Sequence, residues 1–513
     1  MMETAGERIA VRVLQLGAIA VVLAVSVRHV FDLDRFLVPK ELVLHATAFF
    51  GALFGWRALR RVTLTRTDKL LLGYVLLCAL SALFATNRWL GLRAFALSAS
   101  AVLIFFLARG LSNQSLINGL AFAIVLVAIT SLLQAYGLRT DFFALNRAPG
   151  GTLGNRNFVA HAAAFGLPLV IFAALRARRY LLVSSGAAIV FAALVLTRSR
   201  AAYLASAAML LVFIVAILAC GPLRRDGKMW RRLFGIVAFA IAGAALALAL
   251  PNALHWRSDN PYLESMKGVA DYEKGSGHGR LVQYKNSIFM ALRHPLFGVG
   301  PGNWPVEYPR HVKAGDKSLD PSDPGMTFNP WPSSDWIAFL SERGPVAATL
   351  LGLALLGVFT SAFARLRTCV DADDGLASAT LLALLAAAVV AGLFDAVLLL
   401  ALPSLIVFAA MGALWRVPEG RPISAPVILC MILIAAIGLY RSTSQVMAME
   451  LFATSEDRAS LERASRIDPG NYFVQMRLAR RGNRKQRCEH ALAARSLFPL
   501  AQAARDVSRP CRE

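Results

Sequence analysis

The 513-residue sequence predicts an all-α polytopic membrane protein, and three observations carry that reading. Hydrophobic residues make up 57% of the chain and charged residues 17%, with a mean hydropathy of +0.56, outside the range of soluble domains. Apolar runs of about 17–20 residues recur, long enough to cross the hydrocarbon core as helices. A single wet insertion, residues 252–345, interrupts them with Trp, Tyr, His, Gly and Pro and a near balance of acids and bases. A chain that leaves the bilayer once at length points to that segment for its chemistry.

The apolar runs fall near 9–27, 41–56, 70–86, 94–108, 116–136, 158–175, 180–197, 201–221, 233–250, 346–364, 376–394, 397–415 and 423–440, thirteen in all. The first does not read as a cleavable signal peptide: no small-residue cleavage site follows, and Val27-Arg28-His29 leads into the next run. The organisation expected is an N-terminal transmembrane bundle over 1–250, a loop over 251–345, further transmembrane helices over 346–440 and a soluble helical tail over 441–513. Basic residues orient it. Arg57, Arg60, Arg61, Arg66 and Lys69, then Arg176, Arg178 and Arg179, then Arg224, Arg225, Lys228, Arg231 and Arg232 occupy alternate connections, which are cytoplasmic if the N-terminus is. The insertion and the tail then lie outside, in the periplasm of a bacterial inner membrane. The net charge of +23 is explained by this topology, so a nucleic-acid partner is not expected.

Exceptions to that charge pattern carry more information. Arg147, Arg156, Arg198 and Arg200 lie on the outer side, at or near the ends of apolar runs. A charge there is costly unless it meets the interface or a cavity. The guanidinium fork suits phosphate better than a lysine point charge does. Among the cysteines, Cys78, Cys220, Cys369 and Cys430 read as small hydrophobes or loop residues. Cys488 and Cys511 share the exported tail, where a disulfide is permitted. No Cys/His spacing resembles a metal site, and no cofactor is expected.

Four stretches appear in order: GGTLGNRNFVAHAAAFGLPL from Gly150, TRSRAAYLA from Thr197, GRLVQYKNSIFMALRHPLFGVGPGNW from Gly279 and SSDWIAFLSERG from Ser333. Together they resemble the O-antigen ligase and polymerase superfamily of bacterial membrane glycosyltransferases, over roughly residues 30–415. The resemblance implies a GT-C-like bundle of about 12–13 transmembrane helices with a large periplasmic loop. It also implies an undecaprenyl-pyrophosphate-linked glycan as donor, and it assigns Arg200, of the pair Ser199-Arg200, and Arg280 to the donor pyrophosphate. The chemistry agrees, because fixed guanidinium groups stabilise a leaving group that gains charge. Arg156, Arg198, Ser199, Tyr284, Gly300, Ser333 and Glu342 complete the expected substrate contacts. Leu281, Tyr284, Ile288 and Leu292 recur at helical spacing, so the helix beginning near Arg280 is expected to lay this face on the membrane domain.

One position departs from the family. Nine residues before Glu342-x-Gly344 the family carries a histidine, the proposed general base, where this chain has Ser333. A serine hydroxyl is no substitute for imidazole near neutral pH. Ser333 reads as a helix N-cap with Asp335 in the first turn, and the base is then Asp335, Glu307 or a histidine such as His294 or His311, or is dispensable where the leaving group is good enough for an arginine-assisted displacement. Gly298-Val-Gly300-Pro-Gly302 is either a phosphate-cradling nest or a tight turn.

Beyond the last run, two alanine-rich stretches containing Pro469 and Pro499 resemble degenerate tetratricopeptide hairpins, which lean on the membrane domain or recruit a protein partner. The function expected is glycan transfer at the outer membrane face. The acceptor is a lipid A-core, a growing glycan or a protein. A transporter or flippase would place ionisable residues at the midplane; only His161 and Asp395 are candidates.

Overall fold

The computed structural model describes residues 5–511 except 32, 112, 257, 259, 268–274, 314 and 417–419. Every apolar run becomes a helix. In chain order the first nine are α1 (Ala5–Leu23), α2 (Asp34–Phe54), α3 (Arg66–Leu83), α4 (Arg88–Arg109), α5 (Asn113–Ala135), α6 (Arg156–Arg176), α7 (Tyr180–Leu196), α8 (Arg200–Ala219) and α9 (Gly227–Ala249). The insertion contributes α10 (Pro261–Lys267) and α11 (Gly275–Arg293). Four more apolar helices follow, α12 (Asp335–Arg367), α13 (Ala372–Ala391), α14 (Ala401–Leu414) and α15 (Ala425–Thr454). The tail adds α16 (Arg458–Ile467), α17 (Tyr472–Leu478), α18 (Arg484–Leu497) and α19 (Gln502–Ser508). Sheet among the described residues is limited to a two-residue antiparallel pair, Thr63–Leu64 with Arg421–Pro422. The protein is an all-α polytopic membrane protein.

Nine of the described helices are long and apolar enough to cross a membrane: α2, α4, α5, α6, α8, α9, α12, α13 and α15. At 1.5 Å per residue, α7 and α14 reach only about 26 and 21 Å, short of the roughly 30 Å hydrocarbon core. α1 carries Glu7, Arg8 and Arg12, and α3 carries Arg66, Asp68 and Lys69, so charge dilutes both. In α3 these charges form the entry to the helix: Thr65 and Asp68 make a capping box, and Arg109 pairs with Asp68 at 2.5 Å.

α6 is the central pillar. Its apolar window is 94% buried, against 28% for α9, so α6 faces protein while α9 presents most of its surface outward. α5, α7, α8 and α13 pack around it. Because the helices alternate in direction, the connections 24–33, 84–87, 136–155, 197–199, 250–334 and 392–400 gather at one end of the bundle. The basic connections around Arg60, Arg176 and Arg224 gather at the other.

The tail docks on the loop-bearing end. Arg441 lies over Trp89 at 4.8 Å and pairs with buried Asp468 at 2.5 Å. The Gln502 amide donates to the Pro324 carbonyl, and Asn87 donates to the Leu497 carbonyl. Cys488 and Cys511 are disulfide-bonded, tying α18 to the chain end. α15 runs without a break through residue 441, so the transmembrane helix and the tail share one continuous helix.

Candidate functional site

The loop-bearing end of α6 organises the predicted arginines. Gly154 closes the preceding turn at φ +76°, and a Cβ there would stand 2.4 Å from the Phe36 ring, so only glycine fits. Asn155 follows in extended conformation and caps α6, its side chain accepting from the Asn157 amide. Arg156 is then the first helical residue.

Arg156 and Arg198 meet on one indole. Their guanidinium carbons lie 5.0 and 4.7 Å from the Trp256 ring centroid. Arg198 sits in the three-residue turn between α7 and α8 with φ +58°, a conformation that is costly without glycine. Its Nε donates to the Oγ of buried Ser265 on α10 at 3.0 Å. The Trp256 indole N–H donates to the Tyr262 hydroxyl at 3.4 Å. No carboxylate pairs with Arg156 or Arg198 among the described residues. Ser199 is buried beside this turn, and Arg200 opens α8 with its side chain exposed.

Arg280 joins from α11. It is half-buried and lies within electrostatic reach of His161, as does Asp395. His161 is on α6, one turn below Asn157, whose side-chain amide donates to Asp395 Oδ2 at 3.1 Å. Tyr284, one turn after Arg280, is a strap: its hydroxyl stands 2.6 Å from the Ser333 carbonyl and 2.8 Å from that of Leu393. It binds α11 to the start of α12 and to the 392–400 turn. A cleft lined by Lys40, Leu153, Phe158, Trp331, Leu399 and Pro403 lies alongside.

The remaining predicted residues have structural partners. Ser334, not Ser333, is the N-cap of α12; it accepts from the Ile337 amide and donates to the Gly392 carbonyl at 2.9 Å. The Asp335 carboxylate is fully buried and accepts from the Val397 and Leu398 amides at 2.9 and 2.8 Å. That arrangement holds the 392–400 turn and turns Asp335 away from solvent, contrary to its expected catalytic part. Glu342 is buried too, pairing with Arg343 at 3.0 Å and accepting from the Trp304 amide at 3.3 Å.

Gly300 belongs to the same strut. α12 breaks at Gly344, with φ +84° before Pro345, which frees the carbonyls of Ser341 and Glu342. The amides of Val299 and Gly300 donate to them at 3.0 and 2.8 Å. The glycine-rich turn therefore clamps a helix break and is no phosphate nest.

Two further expectations need correction. The predicted apolar face of α11 points outward: Leu281, Ile288 and Leu292 are exposed, while Gln283, Ser287 and Met290 are buried. An α-helix with this pattern has the character of an interfacial amphipathic helix. Glu307 and His294 line a surface pocket near the far end of α11 with Phe84, Thr86 and Arg310, and His311 lies within electrostatic reach of both. Burial, with Arg293 and His294 alongside, holds His311 below the usual imidazole range. Arg293 at that end is about 20 Å along the helix from Arg280, too far to serve a reaction there.

Trp256, Tyr262, Ser265 and Asn157 were not legible as site residues. The i, i+4 pair Asn157 and His161 within GNRNFVAH was the available signal, and it needed Asp395 to give it meaning.

No curated protein matches the chain. Residues 185–352 match the family model for O-antigen ligase, from α7 to the middle of α12, including Arg198, Arg200 and Arg280. This segment, about a third of the chain, is similar to the O-antigen ligase family.

Proposed function

We propose that the protein transfers a glycan from undecaprenyl pyrophosphate to an acceptor hydroxyl at the periplasmic face of a bacterial inner membrane. The observation that carries this reading is the pair Arg156 and Arg198 over Trp256, without a carboxylate partner among the described residues, at the loop-bearing end of α6, whose apolar window is 94% buried. Two guanidinium groups without a carboxylate partner among the described residues, next to the helix N-terminus, suit a doubly charged anion. Arg200 opens the neighbouring helix and Arg280 lies within electrostatic reach of His161 on α6.

In this reading Arg156 and Arg198 hold the donor pyrophosphate, and Arg200 and Arg280 neutralise the charge that develops as the anomeric C–O bond breaks. Trp256 keeps the two cations at a fixed spacing. The exposed apolar stripe of α11 lies on the lipid surface, so a polyprenyl chain remains in the bilayer while its head group reaches the site. Lipid A-core, glycan and protein acceptors all present a hydroxyl and are consistent with the same site.

The test is a reconstituted assay with purified protein and lipid-linked oligosaccharide. Trp256→Ala is expected to weaken donor binding by about tenfold, the scale of losing cation–π fixation of two arginines at about 0.5–1 kcal/mol each. Wild-type protein that neither binds undecaprenyl pyrophosphate nor transfers glycan would sink the reading.

Topology has its own test. The disulfide at Cys488–Cys511 suits an oxidising compartment, so the tail is assigned to the periplasm. Because α15 continues to Thr454, reporter fusions belong after that residue. An alkaline phosphatase fused at Ser455 is expected to be active. A silent phosphatase with a fluorescent cytoplasmic reporter at the same position would reverse the assignment.

A further inference from the structure

A hydroxyl nucleophile needs somewhere to send its proton, and the residues first considered for this are committed elsewhere. Asp335 is fully buried and accepts two backbone amides. Glu307 accepts from Thr86 at 2.6 Å and pairs with Arg310 at 3.2 Å, at the far end of α11 from Arg280. Asp395 is different. It is half-buried in the 392–400 turn, at the outer end of α6. Its Oδ2 accepts from Asn157 at 3.1 Å and its Oδ1 from the Ala396 amide at 2.9 Å. Each carboxylate oxygen has two acceptor positions, so these bonds aim the group without exhausting it.

Behind it stands an imidazole with no evident structural duty. His161 is 1% exposed, and neither ring nitrogen has a hydrogen-bond partner among the described residues. Buried polar atoms in a packed core are normally satisfied, and an exception calls for a reason. Asp395 and Arg280 both act electrostatically on this ring. Asn157 and His161 share one face of α6, so the helix presents an amide that holds the carboxylate and an imidazole one turn deeper.

We propose that Asp395 is the proton acceptor for the attacking hydroxyl, with Asn157 as its positioning residue and His161 coupled to it through its electrostatics; this rests on the glycosyl-transfer reading above. The acceptor oxygen forms a bond to the anomeric carbon of the donor sugar. The bond from that carbon to the pyrophosphate oxygen breaks, and its electron pair leaves with undecaprenyl pyrophosphate. The hydroxyl proton passes to the Asp395 carboxylate. The charged and titratable groups around Asp395 are His161 on α6, Arg280 on α11 and Asp335 on α12.

The test uses the full-length protein, with transfer from lipid-linked oligosaccharide and binding of undecaprenyl pyrophosphate measured separately. Asp395→Asn keeps an oxygen for the Asn157 bond and removes the base. It is expected to lower kcat by about 10²-fold or more, the usual contribution of a general base, with undecaprenyl pyrophosphate still bound. Asp395→Glu recovers part of that loss. Turnover within about threefold of wild type in the Asn variant, judged against that same scale, overturns the assignment. So does a Glu variant as inactive as the Asn variant while the pyrophosphate probe binds. His161→Gln serves if the Asn variant does not accumulate: it is expected to move the acid limb of the pH–rate profile, and an unmoved limb overturns the coupling of His161 to the base. Wild-type protein without transfer or pyrophosphate binding overturns the glycosyl-transfer reading itself and this assignment with it.

Discussion

Arg280→Ala is expected to lower glycan transfer by about 10²–10³-fold, the loss that follows removal of one donor aimed at a developing charge, about 2.7–4 kcal/mol. The effect belongs in kcat, because Arg156 and Arg198, held together on Trp256, still bind the ground-state pyrophosphate in the proposed arrangement. Arg280→Lys keeps the charge and loses the planar fork, so it restores part of the rate. Folding should be little affected, since Arg280 is half-buried and its neighbour Tyr284 makes the contacts that hold α11 to Ser333 and Leu393. Arg200→Ala is expected to behave in the same way. Measurement is by initial rate with a lipid-linked donor, together with thermal stability in detergent. Full activity in the Arg280→Ala variant would remove Arg280 from the proposed mechanism.

Glu342→Ala should act on the fold instead. Its carboxylate is the ion-pair partner of Arg343, which is 1% exposed, and it also accepts from the Trp304 amide. Removing one member of a buried pair leaves the other charge uncompensated and costs about 3–5 kcal/mol. The consequence spreads, because the Glu342 carbonyl receives Gly300 and Ser81 at the break in α12. A marked drop in thermal midpoint, with poor accumulation in the membrane, is the expected outcome. An unchanged midpoint with lost transfer would return Glu342 to the substrate contacts and refute the strut. Gly344 supplies a matching comparison. A Cβ there would approach the Leu296 carbonyl oxygen to 2.5 Å at a φ that side chains avoid, so Gly344→Ala should destabilise the same junction.

These two predictions divide the expected site into parts that concern an anion and parts that hold the protein together. Arg156 and Arg198, far from each other in sequence, come together on Trp256. Asp335, Glu342 and Gly300, which lie in equally suggestive motifs, are taken up by backbone amides, a neighbouring arginine and a helix break. A motif shows that a residue is constrained. It does not show whether a ligand or the chain's own backbone imposes the constraint.

What the sequence determined by itself was the class of the protein, the place of each apolar helix, the position of the arginines at helix ends and the compatibility of Cys488 with Cys511. Hydropathy and helical propensity are summed over about twenty neighbouring residues, so they survive ignorance of the fold. The count of full spans was less secure, because charges in the first turns of α1 and α3 and the shortness of α7 and α14 change what each run can cross. Tertiary structure alone decided which face of α11 is buried. Leu281, Ile288 and Leu292 look core-like by spacing, yet they point outward while Gln283 and Ser287 find polar partners in Ser333 and Trp304. It alone brought Asp395 to Asn157 across 238 residues of sequence. A side chain's role depends on what desolvates it and what bonds to it, and those neighbours come from distant parts of the chain that no local pattern records.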